Sequence, residues 1–334
     1  SPMPVLYVTQ PGAEVRKKGE RLQVVCQEQT LAVIPTAEVE RIVLLGPAHV
    51  TLHAAREMLE RGGAVLYCGV NGRLYGMLAP GHDSPEMLIA QVNCYQDADC
   101  RLATARAVVA AKLHHQRSLL QRHARNHPDV GLDDAVGQLA DMADTLPRRS
   151  AVSAVMGVEG QGAAIYFGVF GRCLRREGVS FTDRNRRPPR DPVNALLSLG
   201  YMLALGEAMA ALQACGLHTG IGFLHEVSDR RPALGLDLLE LVRQPLVDRL
   251  ALSLFNRGVF GPAHFKEQPA GGVRLRPDDL KRYLALFERA VTTPFRPPGG
   301  GEQVSYRSLL RAHASELKGA IQAGQPWQPA ALDL

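Results

Sequence analysis

The chain has 334 residues, of which 46% are hydrophobic and 21% charged, and it carries a formal net charge of +5 with a pI near 9.0. This length allows two domains, each with its own core, and the composition is that of an ordinary soluble globular protein, which argues against a membrane-embedded or disordered chain. The excess of basic side chains favours a polyanionic partner but is too small to establish one.

Residues 5 to about 78 consist of short runs rich in Val, Ile and Leu, which predict β-strands. The runs are VLYV, AEVR, RLQVV, LAVIP, RIVLL, AVLYC and RLYGML. One short helix is predicted at 51–61 with Thr51 as its N-cap, and Asn71-Gly72 indicates a hairpin turn. Because this region holds no cluster of reactive side chains, the domain 3–80 is predicted to serve dimerisation or partner contacts.

The rest of the chain is predicted to be helical. Residues 81–86 form the candidate linker, residues 87–323 the helical domain, and residues 324–334 a frayed tail. The fold class is therefore α+β, with a small N-terminal β-rich, sandwich-like domain followed by a larger all-α catalytic domain.

The cysteines and the hydropathy pattern predict where in the cell the protein acts. The six cysteines form no C-x-x-C pair and no regular spacing, which predicts free thiols in a reducing cytoplasm. We find no run that predicts a membrane span, so a cytoplasmic protein without a membrane partner is expected.

Two basic stretches are candidates for nucleic-acid contact. Residues 101–128 contain six Lys or Arg side chains, four histidines and no acid. They form either the solvated face of a helix or a surface that follows phosphates, and the sequence leaves both interpretations open. Seven arginines lie within residues 172–190, and the second group, on a proline-held loop, suits bidentate phosphate binding. That group comprises Arg184, Arg186, Arg187 and Arg190, and it precedes a helix over 193–214 that carries Asn194 near its start.

Glu159 is the only charged residue in the run 151–171, AVSAVMGVEGQGAAIYFGVFG. The carboxylate and five glycines argue against a membrane span, so the run is predicted to be a buried core helix. A lone carboxylate in such a helix requires a cation, because burial of an unpaired charge is very costly.

A second acidic pattern begins after Pro232, which suits the first turn of a helix. Four polar residues then step by three, four and four through a sequence made mostly of Leu, Val and Ala, which predicts one polar stripe. They are Asp237, Glu240, Gln244 and Asp248.

His225 lies just upstream of this helix, and with Glu159 and Glu240 it completes a candidate metal site. Carboxylates and an imidazole without a thiolate suit Mn²⁺ or Mg²⁺ better than structural zinc. Asp237 is then a further ligand, an orienting group or a general base. Spacing alone leaves open the alternative that Glu159 pairs with an arginine and that His225 and Glu240 make unrelated contacts.

Three motifs resemble one known family. GVEGQGAAIYF at 157–167, RRPPRDPVNALLSLGY at 186–201, and GFLH at 222–225 followed by LDLLE at 236–240 stand in the order and spacing of the first-numbered CRISPR-associated protein family. The segment LYVTQPGAEVRKKGERLQVV also resembles the N-terminal β domain of that family, so the resemblance covers almost the whole chain. Three motifs together are specific, whereas each alone is weak.

The resemblance implies a DNA integrase and endonuclease of spacer acquisition. By motif position it makes Glu159, His225 and Glu240 the ligands of Mn²⁺ or Mg²⁺, Asp237 a neighbouring catalytic acid, and the stretch around Arg186, Arg187, Arg190 and Asn194 a region near DNA.

The implied reaction is attack by the 3′-hydroxyl of a protospacer on a phosphodiester at the edge of a CRISPR repeat. The implied partners are double-stranded and branched DNA, a second copy of the chain, the small second-numbered Cas protein, and an accessory Cas nuclease. The alternatives are a stand-alone metal-dependent nuclease and a basic DNA-binding assembly protein without catalysis.

Overall fold

The computed structural model describes residues 5–80, 84–185, 188–269, 271–297 and 301–332. It places strands at the seven predicted N-terminal runs and adds the two-residue strand β6, which the sequence does not predict. The first eight strands are β1 (Val5–Val8), β2 (Glu14–Lys18), β3 (Arg21–Cys26), β4 (Gln29–Pro35), β5 (Arg41–Leu45), β6 (His49–Val50), β7 (Ala64–Cys68) and β8 (Leu74–Leu78). A short hairpin, β9 (Phe265–Glu267) and β10 (Val273–Leu275), follows much later in the chain.

Ten α-helices occupy most of the remaining described residues. They are α1 (Leu52–Glu60), α2 (Pro85–Gln96), α3 (Ala98–Asn126), α4 (Asp133–Thr145), α5 (Val152–Phe170), α6 (Pro192–Ala214), α7 (Ala233–Glu240), α8 (Arg249–Asn256), α9 (Pro277–Thr292) and α10 (Tyr306–Gln322). This strand-rich start and helical remainder confirm the predicted α+β fold class, to which the late hairpin is a small addition.

The chain divides into two compact units. One comprises Ser1–His82 and Arg276–Thr292, and the other comprises Asp83–Leu275 and Thr293–Leu334. The sequence assigned α9 to the helical domain, whereas the structure includes it in the first unit.

The first unit contains two four-stranded sheets, ordered β1-β5-β7-β8 and β4-β3-β2-β6. In the first sheet β1, β5 and β7 are parallel and β8 is antiparallel. Both sheets and α1 contribute side chains to one core, including Leu22, Ile42 and Met58. Helix α9 is tied to β1 because Glu288 accepts hydrogen bonds from the Val5 backbone N–H and the Tyr7 hydroxyl, each at 3.4 Å.

Helix α6 is the core helix of the second unit. It is long and apolar enough to cross a membrane, with a mean hydropathy of 1.6, but 83% of its most apolar window is buried inside the protein. Asp191 caps its N-terminus by accepting a 2.8 Å hydrogen bond from the Asn194 N–H, and Pro192 stands at the first turn, as the sequence predicts. Such burial is typical of the central helix of a soluble domain.

The polar stripe after Pro232 does not lie on one regular helix. Helix α7 ends at Glu240, and a π-helical segment at Arg243–Asp248 precedes α8. The prediction of a continuous stripe is wrong because Pro245 lacks an N–H and its ring clashes with the preceding helical turn. Asp248 accepts hydrogen bonds from Tyr166 and Tyr201, whereas Glu240 pairs with Lys112 and Arg243.

The C-terminal segment is not frayed as far as the structure describes it, up to residue 332. Trp327 is 3% exposed and Leu332 is 8% exposed. The backbone N–H of Trp327 donates to Thr104 Oγ1 at 3.1 Å, and the backbone N–H of Leu332 donates to His115 Nε2 at 2.8 Å. The segment therefore packs along α3, and its apolar residues supply the burial that a polar tail would lack.

Cys94 and Cys100 form a disulfide at the corner between α2 and α3, so the prediction of six free thiols is wrong for this pair. Asp97 ends α2 and caps α3, accepting a 2.9 Å hydrogen bond from the Cys100 N–H. The sharp corner brings the two Cα atoms to 6.0 Å, within the usual range for a disulfide. The other four cysteines are free.

Candidate metal centre

Three helices of the second unit bring Glu159 and Glu240 to the same cation. Helix α3 supplies Lys112, whose side chain is 6% exposed. The Lys112 Nζ lies 2.6 Å from Glu240 Oε2 and donates a hydrogen bond to Glu159 Oε1 of α5. The two predicted carboxylates therefore converge, although they are 81 positions apart in the numbering.

His225 is the third member of this cluster. Its Nδ1 lies 2.7 Å from Asp237 Oδ1, and its Nε2 lies 4.0 Å from Glu240 Oε1. Because an ionised carboxylate only accepts hydrogen bonds, the Nδ1 of His225 carries the proton and the lone pair is on Nε2. This is the tautomer that an imidazole needs to bind a metal through Nε2.

Asp237 positions the chain segment that carries His225. Its side chain is 1% exposed, and Oδ2 accepts from the N–H groups of Phe223 at 2.6 Å and Leu224 at 3.0 Å. Oδ1 accepts from the N–H of His225 at 3.0 Å as well as from its ring. Both oxygens are thus used in orienting His225, which favours an orienting group over a metal ligand.

Glycine is required at position 222 for this close approach. A Cβ atom there would lie 2.7 Å from the backbone carbon of Ala233 and 2.9 Å from Asp237 Oδ2. A side chain at position 222 would therefore push apart the segment and the helix that present His225 and Asp237.

Arg243 adds a second cation to Glu240, with its Nε 3.1 Å from Oε2. Burial alone would raise the pKa of Glu240, but the charges of Arg243 and Lys112 outweigh it and lower that pKa to about 2. Glu240 is therefore an anion over the whole physiological pH range. Neither cation is predicted from the sequence as a partner of Glu240, and the one signal for Lys112 is that it is the only lysine in the run 101–128.

The ring of Tyr201 contacts two guanidinium groups. The Cζ of Arg243 is 4.6 Å and that of Arg184 is 5.4 Å from the ring centroid. The Tyr201 and Tyr166 hydroxyls donate to the carboxylate of Asp248, which is fully buried. Burial raises the pKa of Asp248 to about 6, although the two hydrogen bonds act in the opposite direction.

The side chains around Lys112 and Glu240 fit a hard divalent cation. Two carboxylates and an imidazole nitrogen are suitable ligands for Mn²⁺ or Mg²⁺, and a cationic group already lies between the carboxylates. Gln116 follows Lys112 by four residues on α3, and Gln244 follows Glu240 by four residues. Within the described part of the chain, the buried Gln116 amide and the buried Oε1 of Gln244 have no hydrogen-bond partner. The described residues contain no group of three or more His, Cys, Asp or Glu side chains close enough to hold an ion as they stand.

The residues predicted to contact DNA differ in exposure. Arg190 is exposed, whereas Arg184 is half-buried and donates to Asn194 Oδ1 at 2.6 Å and to Ser198 Oγ at 2.9 Å. Asn194 is fully buried, and its side chain amide donates to Asp191 at 2.6 Å and to the Asp183 carbonyl at 2.9 Å. The Asn194 side chain therefore holds the loop in this conformation, and a direct contact with DNA stays a prediction. Arg186 and Arg187 lie outside the described residues.

The basic stretch 101–128 occupies α3, and neither interpretation of it describes the whole helix. Lys112 and His115 are buried rather than solvated, and Lys112 pairs with carboxylates rather than phosphates. Beyond them, the rings of His123 and His127 lie 5.0 Å apart, and Arg175 contacts the His127 ring at 2.8 Å. This end of α3 therefore presents clustered basic groups at a partly exposed surface.

Comparison with known proteins gives a consistent answer. The family model described as CRISPR associated protein Cas1 matches residues 6–289, which include Glu159, His225 and Glu240. CRISPR-associated endonuclease Cas1 1 of Thermus thermophilus is 36% identical over 323 residues, or 95% of each chain. A CRISPR-associated exonuclease Cas4/endonuclease Cas1 fusion of Geobacter sulfurreducens is 34% identical over 333 residues, covering 97% of this chain and 59% of the fusion.

Solved structures share the fold. A chain of a Cas6-RT-Cas1–Cas2 complex superimposes with a TM-score of 0.83 at 24% identity, covering 100% of this chain and 36% of that chain. At this identity the likeness establishes the architecture alone, and the arrangement of side chains in the site comes from the geometry described above.

Proposed function

The chain belongs to the CRISPR-associated Cas1 family of endonucleases and integrases, and we propose that it joins protospacer DNA ends to a CRISPR repeat at a metal centre formed by Glu159, His225 and Glu240. The observation that carries this proposal is the convergence of Glu159 and Glu240 on one cation, with His225 Nε2 4.0 Å from Glu240. These three residues come from α5, α7 and the segment before α7.

The reaction is a transesterification at phosphorus. The 3′-oxygen of the protospacer forms a bond to a repeat phosphorus, the bond from that phosphorus to the adjacent repeat oxygen breaks, and the leaving oxygen takes up a proton. When bound, a divalent cation stabilises negative charge on the phosphate oxygens and promotes ionisation of the attacking hydroxyl. With water in place of the hydroxyl, the same groups cut DNA.

Each residue of the centre has a separate task. Glu159 and Glu240 supply anionic oxygen ligands, and Glu240 remains ionised because its pKa is about 2. His225 supplies Nε2 in the tautomer fixed by Asp237. Arg243, stacked on Tyr201, lies beside Glu240, where a guanidinium can hold a phosphate oxygen.

The proposed partners follow from the family and from the relatives named above. We propose that the chain forms a homodimer, acts in the cytoplasm on double-stranded and branched DNA, and assembles with the small second-numbered Cas protein. The Cas6-RT-Cas1–Cas2 complex supports the last partner. The Cas4/Cas1 fusion supports an accessory nuclease acting with this chain.

The test is strand transfer with a labelled protospacer and a repeat-containing DNA, in Mn²⁺ or Mg²⁺ and in EDTA. We expect Glu159→Ala, His225→Ala and Glu240→Ala each to abolish transfer while leaving the circular dichroism spectrum unchanged. Glu177→Ala, which removes an exposed acid of the same unit, is the matched control and should retain activity. Transfer at the wild-type rate by any of the three variants would remove that residue from the centre.

The same assay separates the alternatives. Cleavage without branched products, even with the small Cas partner present, would support a stand-alone nuclease. DNA binding without metal-dependent chemistry would support a non-catalytic assembly protein.

A further inference from the structure

Lys112 occupies an unusual position for a lysine. Its side chain is 6% exposed, and its single ammonium group contacts Glu159 Oε1 on α5 and Glu240 Oε2 on α7. A buried ammonium is stable only when its charge is compensated, and here two carboxylates compensate it. Those two carboxylates are the same ones assigned above to the metal.

The charges at this place are nearly balanced without a metal. Lys112 and Arg243 provide two positive charges, and Glu159, Glu240 and Asp237 provide three negative charges. The N–H donors of the segment 223–225 hold the Asp237 carboxylate but do not cancel its charge. A divalent ion added with both cations in place would leave a net positive charge in a largely buried site, whereas displacement of one cation would leave the site neutral.

Of the two cations, Lys112 is the one whose position conflicts with a shared ion. Arg243 contacts only Glu240 of the two carboxylates and is held from its other side by the Tyr201 ring. Lys112 contacts both carboxylates, so its ammonium group would compete with any ion that both carboxylates would hold. A lysine head is a compact charge on a flexible four-carbon stem, so it can turn away while the 29-residue helix α3 stays in place.

We propose that Lys112 is an internal counter-ion that holds Glu159 and Glu240 together in the metal-free protein and is displaced when the divalent cation binds. The proposal rests on the proposed metal centre. Lys112 is thus a positioning residue that keeps the ligands in place and raises the metal concentration at which the centre fills.

The experiment measures Mn²⁺ binding directly, without DNA and without turnover. The full chain is titrated with Mn²⁺ at fixed pH and salt, and free Mn²⁺ is counted by electron paramagnetic resonance. Lys112→Met removes the charge at similar side-chain length, Lys112→Arg keeps the charge, and Glu240→Gln removes a ligand. Lys17→Met is the matched control, since it removes a lysine that pairs with Glu57 at the same 2.6 Å distance but in the first unit.

We expect Lys112→Met to lower the Kd for Mn²⁺ by about 10-fold, within the range usual for coupled sites. Lys112→Arg and Lys17→Met should keep a Kd equal to or above that of the wild type. In EDTA, Lys112→Met should melt at a lower temperature than the wild type, and Mn²⁺ should raise its Tm by more than it raises that of the wild type. If Lys112→Met does not fold, Lys112→Gln serves as the second neutral variant, with the same expectations.

The outcomes distinguish the two proposals. An unchanged or higher Kd in the neutral variants, together with loss of binding in Glu240→Gln, would overturn the role of Lys112 and leave the metal centre standing. Absence of Mn²⁺ binding in the wild type and in the neutral variants would overturn both. Binding that is tightened in the neutral variants and lost in Glu240→Gln supports both.

Discussion

Asp248 is a buried acid of the second unit that contacts tyrosine hydroxyls rather than the cations of the candidate metal centre. It accepts hydrogen bonds from Tyr166 and Tyr201, and Tyr201 in turn stacks against Arg243 beside Glu240. Glu240 and Asp248 show how the surroundings of two carboxyl groups move their pKa values in opposite directions. Nearby cations lower the pKa of Glu240 to about 2, whereas burial raises that of Asp248 to about 6.

The raised pKa of Asp248 predicts a pH-dependent stability. Because the folded-state pKa is above the ordinary 3.8, the stabilisation from protonated Asp248 is complete below pH 3.8 and is lost as the pH rises through about 6. Asp248→Asn removes this dependence. Between pH 4 and pH 7 the wild type should lose about 2 kcal/mol of unfolding free energy relative to Asp248→Asn.

Urea denaturation at several pH values measures this difference. A stability difference between the two proteins that stays constant from pH 4 to pH 7 would show that Asp248 is ionised throughout. If the wild type gained stability relative to the variant as the pH rises, the pKa of Asp248 would be lowered by folding rather than raised.

At the residue level, the sequence predicted which acids converge but not their partner. Glu159 stands out because it is the only charge in an apolar run, and Glu240 because it recurs at helical spacing after Pro232. The partner of a buried acid lies wherever the fold brings a cation. Lys112, 47 positions before Glu159, was therefore grouped with the other basic residues of α3.

At the level of elements, local signals predicted helices and strands well, and long-range packing decided the exceptions. Thr51, Asn71-Gly72 and Asp191-Pro192 mark real boundaries because caps and turns are local chemistry. The tail after Gly324 has no helical or strand pattern, so the sequence indicated fraying. The tail is ordered by its contacts with α3, because Thr104 and His115 of that helix each accept a hydrogen bond from the backbone of the tail.

The docked tail makes a fluorescence prediction, since Trp327 is the single tryptophan of the chain. We expect blue-shifted emission and little quenching by iodide at neutral pH, because the indole is 3% exposed. His115 should stay neutral there, since burial, with smaller effects of His114 and His313, lowers its pKa to about 3. Its Nε2 can then accept the Leu332 hydrogen bond.

Truncation after residue 324 is the matched comparison. It removes the fluorophore together with the docked segment, and it should lower Tm because the apolar surface of α3 becomes exposed. Emission and iodide quenching equal to those of free indole in the intact protein would mean that the tail is detached in solution.

At the level of the whole chain, sequence order and compact units differ. Helix α9 belongs to the first unit, where Glu288 meets Val5 and Tyr7 of β1. No local pattern indicates a contact between residues more than 280 positions apart, so the sequence placed α9 with its neighbours in the chain. The net charge of +5 likewise predicts that a partner is negatively charged, but it does not predict which surface of the protein binds that partner.

Exposure separates the arginines that are available for DNA from those that hold the fold. Arg190 is exposed, and its backbone N–H donates to Asn185 Oδ1 at 2.8 Å. We expect Arg190→Ala to weaken DNA binding and to reduce the slope of log K against log salt by about 0.9, which corresponds to one lost phosphate contact. Fluorescence anisotropy of labelled duplex DNA over a salt series measures the slope.

Arg184→Ala and Arg56→Ala complete this test. Arg184 is bonded to Asn194 and Ser198 and stacked on Tyr201, so its loss should lower Tm in addition to any effect on DNA. Arg56 is exposed on α1 of the first unit, where its loss should leave the slope unchanged. An unchanged slope in Arg190→Ala would exclude Arg190 as a phosphate contact, and an equal fall in Arg56→Ala would mean that the slope reports overall charge rather than a DNA surface on the second unit.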